Sequence, residues 1–229
     1  MTRVKEDFSF GKMALGFRRH IEASIPGYKT GLIPDCVSQS ERFVQPGTNV
    51  YDVGCTTGHL LARIRRVNNK ARPNVNYVGI DIEPNFIGSW DKHRRLNMRF
   101  ELHDARAYKF ERASAIFSLF TVQFVPPADK AALLDRIYAG LVEGGALIIA
   151  EKTLAETPRL QEALNSQYLD YKRRVGFTSE QILDKDRALH GQMTTWTESE
   201  LREALQKAGF RELTSFWRGL FFVGYLALK

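Results

Sequence analysis

Asn49-Val-Tyr-Asp-Val-Gly-Cys-Thr-Thr-Gly58 runs from a short strand into a loop with glycines at 54 and 58, and Leu60 to Val67 then reads as a helix. Strand, glycine loop and helix in that order open a doubly wound α/β sheet. The alternation continues on the C-terminal side. Tyr77 to Asp81 is a second strand, followed by a helix with Pro84 in its first turn, where a missing N–H costs nothing. Met98 to His103 and Ala115 to Phe120 are two further strands. Ala131 to Leu141 is an amphipathic helix stopped by Gly144-Gly145, and Ala146 to Ala150 is a fifth strand. Near-continuous apolar runs such as Leu147-Ile-Ile149 fit strands covered on both faces.

A long helical stretch, Pro158 to Leu189, interrupts the pattern. Another helix opens at Thr197 with a capping box to Glu200 and Trp196 stapled onto Leu201, and ends at Gly209. Leu213 to Trp217 and Phe222 to Leu228 are two strands with too few residues between them for a crossover, so they pair antiparallel. On the N-terminal side Met13, Leu15, Phe17 and Ile21 mark an apolar helix face, broken at Ser24-Ile-Pro-Gly-Tyr28. A second helix spans Leu32 to Phe43 and stops at Pro46-Gly47. The sequence therefore predicts a Rossmann-like α/β fold in one domain, 1–229. Its sheet has seven strands, mostly parallel, with an antiparallel C-terminal strand. A helical extension covers 1–45 and a helical insertion covers 154–195, after the fifth strand.

Composition agrees. The 229 residues are 44% hydrophobic and 26% charged, ordinary for a globular chain of one domain. No apolar run approaches the ~20 residues of a membrane span, and Met1-Thr-Arg-Val-Lys-Glu-Asp lacks a secretory leader, so a cytoplasmic protein without membrane contact is expected. Cys36 and Cys55 form no disulfide framework, and His20, His59, His93, His103 and His190 are scattered, so no metal site is expected. The net charge of +7 is carried partly by Arg63-Ile-Arg65-Arg66 with Lys70 and Arg72, by Lys92-His-Arg94-Arg95, and by Lys172-Arg173-Arg174. These clusters suit nucleic acid or small anions, or are solvated faces. Aromatics do not interleave with them, so a single-strand stacking platform is not indicated.

Asp52-Val-Gly54-Cys-Thr-Thr-Gly58 differs from the G-x-G-x-x-G loop that cradles a pyrophosphate. Its spacing suits a nucleoside without phosphate, such as S-adenosylmethionine, whose close approach glycine permits; alone, the loop is also a plain strand-to-helix turn. Asp81 ends the second strand, where a carboxylate accepts ribose hydroxyls, or caps a helix. Asp104 follows the third strand, where an adenine amino group needs an acceptor, or sits in a turn. Three acids in order at the carboxyl ends of successive strands favour the binding reading, because ligands of open α/β sheets bind at that edge.

The chain resembles the carboxy-S-adenosyl-L-methionine synthases of the class I S-adenosylmethionine-dependent methyltransferase superfamily. The resemblance rests on Ser24-Ile-Pro-Gly-Tyr28, Glu41-Arg-Phe-Val-Gln-Pro-Gly-Thr48, Val50-Tyr-Asp-Val-Gly-Cys55, Phe120-Thr-Val-Gln-Phe124, Leu133-Leu-Asp-Arg-Ile-Tyr138, Gly144-Gly-Ala-Leu147, Glu151-Lys152, Lys207-Ala-Gly-Phe210 and Ala227-Leu-Lys229. It implies S-adenosylmethionine or its carboxylated form as ligand, prephenate as carboxyl donor, phenylpyruvate as by-product, a role in tRNA wobble-uridine modification, and a homodimer joined through 158–189. It implies Tyr28 as a ligand-contacting residue, Gly54, Cys55 and Thr56 beside the methionine part, Asp81 and Ile82 at ribose and adenine, and Asp104 and Ala105 at the adenine edge. Asp52 and Gly58 belong to the same loop. Arg187 is the expected clamp on the product carboxylate, for which a planar guanidinium is suited, when one residue is inserted near Thr178 and one deleted after Arg187; without that shift Asp186 takes the position. Leu119 stands where the family carries asparagine. Two other readings accompany this one. One is an ordinary methyltransferase acting on a nucleic acid or small molecule, with the basic clusters as phosphate contacts. The other is a cofactor-binding subunit without activity.

Overall fold

A computed structural model describes residues 16–229. Seven strands form one sheet in the order β3-β2-β1-β4-β5-β7-β6. They are β1 Asn49–Val53, β2 Asn76–Asp81, β3 Met98–Leu102, β4 Ala113–Leu119, β5 Leu141–Lys152, β6 Glu212–Gly219 and β7 Phe222–Leu228. The first five are mutually parallel, and β7 runs antiparallel to both β5 and β6. Seven strands, mostly parallel, with an antiparallel strand from the C-terminus: the sheet matches the expectation from sequence.

Strand side chains alternate between two cores. Val50, Ala115, Phe117 and Ile148 point to the face covered by α1 (Phe17–Ser24), α2 (Ile33–Phe43) and α3 (His59–Asn68). Tyr51, Ile116, Leu147 and Ile149 point to the opposite face. Each fully buried Leu, Ile or Phe contributes about 1.5–3 kcal/mol, which explains why the central strands read as unbroken apolar runs. A one-turn α4 (Ile87–Trp90) follows a 3₁₀ turn at Pro84–Phe86, so the helix expected after Pro84 is a single turn. Leu133, Leu134 and Ile137 of α5 (Pro127–Gly140) enter the second core. α6 (Pro158–Arg174) and α7 (Ser179–Leu189) lie between β5 and α8 (Glu198–Lys207), whose capping box joins Thr197 and Glu200 as expected.

Three boundaries differ from the sequence reading. α5 starts at Pro127 rather than Ala131, because a proline in the first turn is pre-organised for the helix. Gly144-Gly145 lies inside β5, where the pairing with β4 shifts register, and does not terminate α5. The stretch from Pro158 is two helices, parted where Gly176 adopts φ of +100°. The break at Ser24–Tyr28 is real: Gly27 takes φ of +74° and a π-helical turn, Tyr28–Leu32, follows. Met13 and Leu15 lie outside the described residues.

Candidate active site

In this strand order the connections reverse direction between β1 and β4, and the crevice beyond their carboxyl ends is where an open α/β sheet receives a ligand. A cavity of about 1470 Å³ opens there. Among its described lining residues are Tyr28, Asp52, Gly54, Cys55, Thr56, Asp81, Ile82, Asp104, Ala105 and Leu119. These come from five separate stretches of sequence, and the fold brings them to one wall. Gly58 stands behind it, as the N-cap of α3.

The loop after β1 is held from several sides. Asp81 accepts the Thr56 N–H at 2.7 Å on one carboxylate oxygen and the Glu83 N–H at 2.9 Å on the other. The Trp90 indole donates to the Thr56 carbonyl at 2.7 Å. Thr56 itself sits at φ of +46°, a left-handed conformation that a threonine keeps only when its surroundings enforce it. The glycines answer to the protein rather than to a ligand. A Cβ on Gly58 would lie 2.5 Å from the Phe100 ring, and one on Gly54 would overlap the Thr121 hydroxyl. That hydroxyl donates to the Val53 carbonyl at 2.9 Å, tying the loop to the end of β4.

Asp52 is buried, and its Oδ2 has no hydrogen-bond partner among the described residues. Burial first, and the Asp81 charge second, push its carboxyl up to about 7. A buried carboxylate oxygen with no partner costs stability, and a cationic group in the cavity would complete it. Tyr28, raised above the usual phenol range chiefly by burial, stays protonated, with its ring 6.2 Å from that of Phe120. Ile82 is 63% exposed into the cavity, an apolar platform of the kind an adenine covers. Asp104 is engaged by Arg106, which donates to both of its oxygens and also reaches Asp129 at 2.9 Å. The hydrogen bond from Arg106 holds the Asp104 carboxyl below its ordinary range, and each oxygen already accepts two donors, so a ligand amino group there would share or displace one of them.

Within a single chain Arg187 stands apart from the cavity. It is 77% exposed, pairs with Asp184 at 3.7 Å, and does not line the cavity. One residue on a helix is about 100° of rotation, and α7 turns Lys185 and Asp186 inward instead. Lys152, Lys172 and Lys185 line the cavity as one cluster, close enough that their charges act on one another. Sequence reasoning missed it: Lys152 stood only as the second half of a Glu-Lys pair, and Lys172 was one member of a basic cluster. That cluster is not a free face, since Lys172 is 7% exposed. Two more basic side chains serve the fold, Arg65 donating to Asn97 and Arg72 to the carbonyls of Val44 and Glu41.

The model of the methyltransferase domain family matches residues 50–145. A carboxy-S-adenosyl-L-methionine synthase of Staphylococcus epidermidis is 34% identical over 225 residues, covering 97% of this chain and 96% of the relative. The enzyme of the same name from Shigella sonnei is 34% identical over 229 residues, covering 97% and 92%. The chain belongs to the carboxy-S-adenosyl-L-methionine synthase family. Like others of that family it is an S-adenosylmethionine-dependent transferase. Two solved structures share the fold. Human N-acetylserotonin methyltransferase with bound S-adenosylmethionine has a TM-score of 0.53 at 19% identity, over 79% of this chain and 47% of that one. The cyclopropane synthase MmaA2 of Mycobacterium tuberculosis has 0.56 at 18%, over 80% and 62%. The described residues fit the carboxy-S-adenosylmethionine synthase ligand: an orphaned buried carboxylate oxygen for a cation, two acids at neighbouring strand ends, and a bare isoleucine.

Proposed function

We propose that the protein converts S-adenosylmethionine and prephenate into carboxy-S-adenosylmethionine and phenylpyruvate, supplying the carboxylated nucleoside for tRNA wobble-uridine modification in the cytoplasm. The observation that carries this reading is kinship spread over nearly the whole chain, 34% identity across 97% of it. The cavity volume supports it, since about 1470 Å³ exceeds the roughly 300–1,000 Å³ of a single-ligand pocket. When bound, S-adenosylmethionine supplies a sulfonium methyl whose acidified carbon receives the carboxyl. The atoms balance if prephenate yields its ring carboxyl to that carbon while its ring hydroxyl leaves with one methyl proton as water.

The side chains have distinct tasks in this reading. Asp52 balances the positive charge of the amino acid part. Asp81 accepts ribose hydroxyls while keeping its bonds to Thr56 and Glu83. Ile82, Asp104 and Ala105 hold the adenine. Gly54, Cys55 and Thr56 line the methionine part, and Gly58 sets the loop. Leu119 closes the site apolarly, and Tyr28 with Phe120 shields the sulfonium from water. Incubation with both substrates, followed by mass spectrometry of the nucleosides, is the test. A species heavier than S-adenosylmethionine by one carbon dioxide, formed with phenylpyruvate, is expected. Methyl transfer to RNA or a small acceptor without that species would replace this reading with an ordinary methyltransferase.

We also propose a homodimer, joined through the segment 158–189. Leu160 on α6 and Val175 just after it are 56% and 43% exposed outside the cavity. Light scattering is expected to give twice the 26.2 kDa chain mass. Leu160→Glu should shift it toward the monomer, and a monomeric native protein would end the proposal.

A further inference from the structure

One part of the cavity lining carries a concentration of ammonium groups. Lys152 ends β5, Lys172 lies in the last turn of α6, and Lys185 is on α7. All three line the cavity. Among the described residues none of them pairs with a carboxylate within 4.0 Å. Their stems and heads pack on rings instead: Lys152 Nζ lies 5.0 Å from the Phe221 ring centre, and Lys172 Nζ 4.8 Å from that of Tyr168. Lys185 Nζ is 2.5 Å from His20 Nε2 and 3.5 Å from the Ser24 hydroxyl, both on α1. Among the described residues the acid facing the group is Asp186, whose charge acts on Lys152 and Lys172.

Gathering three cations in a half-buried wall costs stability, because each is desolvated and each repels the others. The strain is recorded on Lys185, which burial and the charges of Lys172 and Lys152 bring down to about 7. Its neighbour His20 is lowered to about 4 by burial and the charges of Lys185 and Lys172, so its ring is a neutral acceptor for the ammonium proton. Such a cluster in a cavity is a marker of a ligand site. Three cations against one acid leave room for a charge of minus two.

We propose that Lys152, Lys172 and Lys185 form the subsite that holds the two carboxylates of a small dicarboxylate second substrate, with Asp186 limiting how tightly it is held. This rests on the proposed function for the identity of that substrate, prephenate. Within the subsite Lys185 is the pH-dependent member. Its ammonium meets His20 and Ser24 from α1 and the charges of Lys172 on α6 and Lys152 at the end of β5, while Asp186 on its own helix acts on those two lysines. A bound dianion stabilises the protonated amine, so binding takes up a proton near neutrality and weakens as pH rises.

The test is titration calorimetry with prephenate on the protein saturated with S-adenosylhomocysteine, so that nothing turns over. Lys152→Gln, Lys172→Gln and Lys185→Gln should each weaken prephenate about tenfold or more, the loss expected for one charged hydrogen bond. Affinity for S-adenosylhomocysteine should stay within about twofold, which also shows that the variants fold. Asp186→Asn should tighten prephenate. Lys185→Arg should keep binding while removing its decline between about pH 6 and 8, because a guanidinium stays charged. Unchanged prephenate affinity in all three glutamine variants would overturn the subsite and leave the proposed function standing. A native protein that ignores prephenate but binds malonate, with loss in the lysine variants, would keep the subsite and remove prephenate as donor. Binding of neither would overturn both.

Discussion

Asp52 concentrates the electrostatics of the nucleoside side of the cavity into one group. Its carboxyl, raised to about 7 by burial and by Asp81, is mostly protonated at about pH 6 and mostly ionised at about pH 8. Only the ionised form attracts the ammonium of S-adenosylhomocysteine, so that ligand lowers the pKa and releases a proton on binding. Affinity is expected to rise by up to about tenfold across that interval. Calorimetry in buffers of different ionisation enthalpy reads both the affinity and the released proton. Asp52→Asn should give a flat profile and weaker binding at the higher pH, and a flat profile in the native protein would contradict the assignment. The pH sense is opposite to that expected for the dicarboxylate, because one ligand meets a buried acid and the other a buried amine. How much of this was legible differs residue by residue. The position of Asp52 and Asp81 followed from strand ends, which sequence locates well. Lys172 was hidden, because a lysine in a run of three basic residues looks solvated until a helix is oriented. On α7 the register decides which side chain enters the cavity: within one chain Lys185 and Asp186 are among the residues that line it, while Arg187 lies outside.

At the level of the element, the loop between β1 and α3 is a packed joint whose glycines are set by Phe100 and Thr121. Gly58 has φ of +74° and no space for a methyl group, so Gly58→Ala combines backbone strain with overpacking. A loss of about 2–4 kcal/mol is expected from those two sources together, read as a shift in urea midpoint. Gly47 is also at positive φ, but a Cβ there would meet no atom within 4 Å. Gly47→Ala should therefore cost only the backbone part, about 1 kcal/mol. Equal losses at the two positions would mean that Phe100 does not set the joint. The alternation of strands and helices was legible because burial on both faces of β1, β4 and β5 leaves no polar period to misread. The Gly144-Gly145 pair was not, since glycine after a helical run signals a helix end as readily as the irregular start of a strand.

For the whole molecule, the lysine wall ties stability to occupancy. Burial lowers Lys152, Lys172 and Lys185 below the range they titrate in when unfolded. Between about 7 and about 10.5 these amines therefore bind more protons in the unfolded chain than in the native one, so their contribution to stability rises with pH across that window. Glu151 opposes this up to about 8, the value to which burial raises it against the Val122 and Gln123 N–H groups, and the buried thiols of Cys36 and Cys55, pushed well above their ordinary range, oppose it from about 9 upward. The lysine contribution is read as a difference: between about pH 8 and about pH 9.5 the thermal midpoint of the ligand-free native protein is expected to rise more, or fall less, than that of Lys185→Met, which keeps the same thiols. A bound dianion acts on the same protons in the opposite sense. Malonate or prephenate should therefore raise the midpoint more at about pH 7 than at about pH 9.5, where Lys185 is neutral and has less to gain. The same pH profile in the native protein and in Lys185→Met would mean that this amine is solvated in the native state, and the wall would then store no free energy there for an anion to release.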